Sequence, residues 1–340
     1  MAFTRPETRT RTTQVVYKRG FGNPPELRAA IARAHATRLW WTVTVALFDH
    51  LTVPALLLAA TSPPVRDAGG PFTAAALVVA VPLAARQLRA LECLVHEASH
   101  FNWSRRHRAL GDVLATLLAG VPTGARIADY RSSHLAHHGR FGTSADPDRR
   151  RYEELGLEDL DRSGAVPFTL GLLRGFGPYQ RGWLATLGSA PVAAALPFAW
   201  CAAAVLLPGW LLGDTAWAAL AGAAWLATHL LALPALRFTA ESGEHVYREA
   251  DTVFAATVSN LGFLQRALIH PHGDGHHTVH HLWPGVPHHQ LARLHRLLLE
   301  RNAEYRTGLR YRTRVLESPR TGWPGTETLP DARHERGQAA

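Results

Sequence analysis

Apolar residues collect in four long blocks, and the charged residues fall between them. The blocks run over residues 39–61, 71–93, 183–207 and 215–236. Each reaches the roughly 20 mostly apolar residues that a helix needs to cross a bilayer. Soluble helices are usually shorter and keep a polar stripe along one side, so a soluble bundle fits this pattern less well. Arg86 and Arg89 sit in the last turns of the second block, from where long side chains can snorkel to the interface. Residues 109–121 are expected to lie along the membrane surface, and 291–300 reads as a short amphipathic helix. The tail from Glu317 is rich in Pro, Gly, Thr and charge and is expected to be disordered. The pattern predicts an all-α, polytopic membrane protein with about four transmembrane helices and a cytosolic helical cap. It divides the chain into an N-terminal cytosolic segment (1–38), a membrane domain (39–316) and a tail (317–340).

Charge sets the expected orientation. The 62–70 and 208–214 connections are short, and Arg66 is their only basic residue. Nearly all other arginines lie in the N-terminal segment, the long 94–182 segment and the C-terminal segment. By the positive-inside rule these three face the cytoplasm. Two helical hairpins then dip into a cell membrane, with both termini on the cytoplasmic side. The net charge of +9 is carried by arginine, since Lys18 is the sole lysine. It suits anionic lipid headgroups; nucleic acid is not expected, because no recognised binding motif accompanies it. Cys93 and Cys201 give neither a disulfide framework nor a metal pair. The first 38 residues hold no apolar signal-peptide core. The unusual count is histidine, at 20 residues.

Most of these histidines form three boxes on the expected cytoplasmic side. His96 and His100 are four apart at the end of the second block, hence on one helix face. The spacing is not HExxH, so a zinc-protease site does not fit. The second box is His134, His137 and His138, followed by Asp146-Pro147-Asp148. On a helix its three imidazoles surround one point beside the axis. The third box, His277, His280 and His281, repeats that spacing. Eight nitrogens are too many for one tetrahedral zinc and suit two metals with open positions. Imidazole alone fits zinc, copper or iron.

The order HxxxH, HxxHH, HxxHH, with one hairpin before the first box and another between the second and third, resembles the membrane fatty acid desaturase and hydroxylase superfamily. The phrases HEASH, YRSSHLAHHGRFGTSADPD and HHTVHHLWPGVPHHQLARLH are similar to those of its bacterial members, and the likeness covers about 38–310. It implies that the eight box histidines bind two irons. It also implies that dioxygen is reduced with electrons supplied from outside, to attack an unactivated C–H bond. A further ligand is common in that family before the last box; the Arg237 to His245 stretch points to His245, with His272 as the alternative. The family commonly has Asn where Gly273 stands, Tyr at His276 and Glu at Val279. The resemblance implies desaturation of a fatty acyl chain carried on lipid, coenzyme A or a carrier protein. It equally admits a hydroxylase or ketolase of a carotenoid or specialised metabolite. No haem-binding motif is present, so ferredoxin and its reductase are the expected donors. A histidine-rich metal transporter would place its ligands inside the spans, whereas these clusters lie outside them.

Other residues have a structural reading beside a functional one. Asp49 and His50 in the first block and His229 in the fourth could line a substrate tunnel, but a neutral, hydrogen-bonded interhelical pair is favoured. Asp146 and Asp148 could orient box histidines or simply form a turn. Glu97 could do likewise or be solvated. Trp283 and Pro284 are expected to shape the turn after the last box, and Cys93 to pack. His107, His288, His289, His295 and His334 are expected at the surface.

Overall fold

The structure, a computed structural model, describes residues 18–324. Among these the chain is helical, with only three short strands. Four helices are long and apolar enough to cross a membrane: Leu39–Asp67, Gly70–Ser99, Pro191–Leu212 and Thr215–Glu241. Their outward faces carry bare apolar side chains such as Trp40 (72% exposed), Phe48, Val78 and Leu211. In water such a belt would be costly; against lipid it is the expected surface.

The local signals explain the helix ends. Gly69 takes φ 106°, open to glycine, at the turn between the first two spans. Asp214 caps the fourth span by accepting from the Trp217 amide. The third span begins at Pro191 rather than near residue 183, where the apolar pattern put it. Residues 183–188 belong to a separate helix, Ala165–Gly188, and Pro191, with no amide hydrogen to lose, opens a new one. At the far end the two hairpin tips meet through Arg66 and Asp214, 2.6 Å apart. At the near end the second and fourth spans run on past their apolar blocks, and Glu92 and Arg237 pair at 2.7 Å. Arg89 does not snorkel: it is buried and donates to Asp274 at 2.9 Å.

The spans pack around Leu57, Leu88, Leu91, Val205 and Trp225. The remaining helices form a cap over the near end. One part joins Phe21, Leu27 and Ile31 to Trp283, Leu294 and Tyr305; another joins Phe141, Tyr152, Tyr179 and Phe238. Leu110, Val113 and Leu117 lie exposed along 108–120, as a surface-lying segment requires. The 291–300 stretch is the core of the helix His288–Arg301. Its histidines differ from expectation: His288 and His295 are buried, the latter bonded to the Tyr305 hydroxyl, while His107 is exposed.

The three strands tie the cap to its C-terminal end. Ser259–Asn260 runs parallel to Arg310–Arg312, which is antiparallel to Arg320–Thr321. The segment expected to be disordered from Glu317 thus starts within this small sheet, and Trp323 packs on Tyr311 at 4.6 Å. The rest of that tail, His334 included, and residues 1–17 lie outside the described residues. Next to the sheet, a Cβ on Gly262 would collide with the Thr313 carbonyl oxygen. Neither backbone can yield without parting the strands. Gly262→Ala should therefore destabilise the protein by about 1–3 kcal/mol. Thermal unfolding in detergent measures this, and an unchanged midpoint would refute the packing argument.

Candidate metal centre

Each histidine box rides on an element that other side chains fix. His96 lies in the last turn of the second span and His100 caps it. The helix Ile127–Gly139 carries His134, His137 and His138. Arg131, from the same helix, donates to the carbonyls of Ala98 (2.8 Å) and Ser99 (3.2 Å) and pairs with Asp112. This one guanidinium locks the second box onto the end of the first. The third box is the short helix His277–Leu282, buried along its whole length. His245 follows the fourth span and bridges to Thr257, and its amide donates to the Tyr152 hydroxyl at 3.1 Å.

These elements bring nine imidazoles to two adjacent points. At the first, His96 Nε2 is 2.9 Å from His280 Nε2, which is 3.0 Å from His138 Nε2, itself 3.1 Å from His134 Nε2. His100 belongs to the same group, and its buried Nε2 has no hydrogen-bond partner. At the second, the Nε2 atoms of His137, His281, His277 and His245 follow one another at 3.4, 3.1 and 3.0 Å. The His138 and His281 rings stack at 4.4 Å where the groups meet. His272 is not among them; its Nε2 lies 2.5 Å from Asp49.

Hydrogen bonding cannot explain such chains. A ring nitrogen holds either one proton or one lone pair, so it cannot donate to one neighbour and accept from the next. A shared cation removes the conflict, since every nitrogen then presents its lone pair. Nitrogens about 2.1 Å from one metal, at angles of about 90–110°, stand about 3.0–3.4 Å apart. The observed spacings match that range. The donor set therefore fits two metal ions, five imidazoles able to reach one and four the other.

Carboxylates stand behind the rings. Asp146, fully buried, accepts from His137 Nδ1 at 2.8 Å while capping the next helix through the Asp148 amide. The two readings of this residue, turn former and histidine partner, are both correct. Asp148 is 3.6 Å from the same nitrogen. Asp274, which no motif marks in the sequence, accepts from His270 Nδ1 (3.0 Å) and Arg89 and faces His96 Nδ1 at 3.7 Å. The only sequence signal was its place three residues before the last box. Glu97 takes neither expected role: it is buried and accepts from the His288 amide at 2.7 Å. In the spans, His50 bridges Leu118 and Trp200 by hydrogen bonds, as favoured. His229 instead stacks on Trp225 at 4.8 Å with both nitrogens unpartnered. Trp283 and Pro284 bond Asn23 and Asn102 across the turn after the last box.

A cavity of about 630 Å³ reaches both groups, touching His96 and His134 of one and His137, His245 and His277 of the other. Ala190, Ala193, Ala194 and Trp183 form an apolar part of its wall. Arg126, Arg150 and Arg151 line it from the cap, and Glu92, Arg237, Glu241 and Glu244 add charge near the rings.

Burial favours the neutral form of seven of these imidazoles. It pushes His134, His138, His245, His280 and His281 well below the ordinary range, His277 to about 3 and His100 to about 2. His137 differs: burial lowers it too, but Asp148 and Asp146 outweigh that and leave it raised. For the seven depressed groups, the unfolded chain takes up protons below about pH 6.5 that the folded protein refuses. Metal-stripped protein should thus lose stability progressively as pH falls below about 6.5, with His137 opposing only in part. Unfolding temperatures in detergent between pH 7 and 4 test this; a flat profile would mean the rings are not buried neutral.

The fatty acid desaturase family model matches residues 71–314 of the chain, and no match to a curated protein accompanies it. The matched stretch begins with the second span and takes in all three boxes, His245 and the first two strands of the small sheet. The chain belongs to the fatty acid desaturase family, membrane oxidoreductases that typically use two irons.

Proposed function

We propose that this protein is a diiron desaturase that uses dioxygen to introduce a double bond into a fatty acyl chain. The observation that supports it most is the pair of imidazole groups opening on one cavity with an apolar wall from the third span. Two irons would be held by His96, His100, His134, His138 and His280 on one side and by His137, His245, His277 and His281 on the other. They would supply the reduction of dioxygen that lets hydrogen be taken from an unactivated C–H bond. The chain's own residues do the rest. Asp146 keeps the proton on His137 Nδ1, so that Nε2 is free for metal. Ala193, Ala194 and Trp183 offer a surface for an apolar chain, and Arg150 and Arg151 offer charge complementary to an anionic carrier.

In this reading the domain of residues 39–316 sits in the cell membrane with the metal site and both termini on the cytoplasmic side. Electrons come from a separate donor such as ferredoxin and its reductase. One observation favours a second reading within the family. Glu92, Arg237 and Glu244 lie in the cavity wall close to the ligands, which suits a hydroxylase or ketolase of an oxygenated specialised metabolite. A metal transporter is not supported, because the imidazole groups lie at the ends of the spans.

Purified protein should carry close to two irons per chain, as elemental analysis would read; a single zinc would sink the proposal. His138→Ala or His280→Ala should abolish product formation, followed by lipid and metabolite profiling with a redox partner, while membrane insertion persists. Wild-type activity in either variant would remove that residue from the site. His245→Ala should lower iron loading, and full loading would exclude it as a ligand.

A further inference from the structure

Asp49 lies within the first span and is 1% exposed. An ionisable group at that position is expensive unless it has a partner and a purpose. Its partner is distant in sequence: Asp49 Oδ2 accepts from His272 Nε2 at 2.5 Å, across 223 residues, and Arg86 stands 3.6 Å from the other oxygen. His272 is itself unusual. It takes φ 53°, one of two non-glycine residues in the left-handed region among those described, and Gly273 follows at φ 78°. Two consecutive left-handed residues make a sharp reversal that a side chain with a Cβ resists.

What that reversal delivers is the site. Directly after it come Asp274, whose carboxylate is gripped by Arg89 and His270 and faces His96 Nδ1, and then the third box. The Gly273 carbonyl accepts from the His276 amide, and the His276 carbonyl from that of His280, so the turn also sets where the third-box helix begins. We propose that Asp49 is a positioning residue for the metal site, holding His272 in its left-handed conformation so that Asp274 and the third box meet the first. This rests on the metal reading above. It gives Asp49 a role beyond an interhelical polar pair, and it gives His272 a task other than ligation.

The test uses full-length protein purified in detergent, with iron per chain as the readout and helix content by circular dichroism as the control for insertion. Asp49→Leu should load at least threefold less iron than wild type while keeping its helix content. Asp49→Asn, nearly the same shape, should lose part of the iron and guards against a leucine variant that fails to insert. The decisive variant is Asp49→Leu with His272→Gly. Glycine takes φ 53° without a Cβ, so the double variant should recover most of the lost iron, which a mere packing role for Asp49 would not allow. Wild-type loading in both single variants, or a double variant no better than Asp49→Leu, would overturn the proposal. Wild-type protein that binds no iron would overturn the metal reading and this inference with it.

Discussion

Lone pairs that face one another repel, and the near end of this bundle is built around nine of them. Without a cation the two imidazole groups are frustrated; with one at each point they become the most strongly coordinated part of the molecule. Everything nearby serves to keep the rings aimed. Arg131 clamps the second box to the first, Asp146 fixes the tautomer of His137, and Phe141 packs against His137, His245 and His281. The helices alone could not do this, since each contributes only two or three ligands.

The membrane sets the second constraint. Backbone groups in hydrocarbon have to be satisfied within the helix, so the spans stay helical throughout, departing only into short π-helical turns at Ala202–Leu206 and Thr228–Ala232, and non-helical structure is left to the cap. Charge follows the same division. Arg89 is buried and Glu92, Arg237 and Asp274 are partly buried, but at the near end of the bundle, where they pair with one another and not with lipid. Basic residues that appear merely to flank an apolar block thus become part of the wall around the metal centre.

Much of this was legible in the chain. Period and spacing expose the spans and the three boxes, because both are local: a helix repeats its face every three to four residues, and HxxHH shows itself within five. His245 is reachable through the Arg…Glu-His resemblance, and its Nε2 lies 3.0 Å from that of His277. What escaped was non-local or hidden by composition. Asp274 and the Asp49–His272 bond depend on contacts far apart in sequence. The start of the third span was misplaced because Trp183–Leu187 is as apolar as a span, and only the break before Pro191 separates them. His288 and His295 look like surface residues in a polar helix, yet that helix turns them inward against the first span and Tyr305.

The chain order of the ligands has a consequence for biosynthesis. His96 to His138 emerge after the first hairpin, but the remaining four ligands follow the second, and the last three lie in a six-residue helix that is wholly enclosed. Neither ion can acquire its full set of donors during early translation. On the proposed diiron reading, iron acquisition is a late event, after both hairpins have inserted, and a ribosome stalled between them leaves an open, half-built cage.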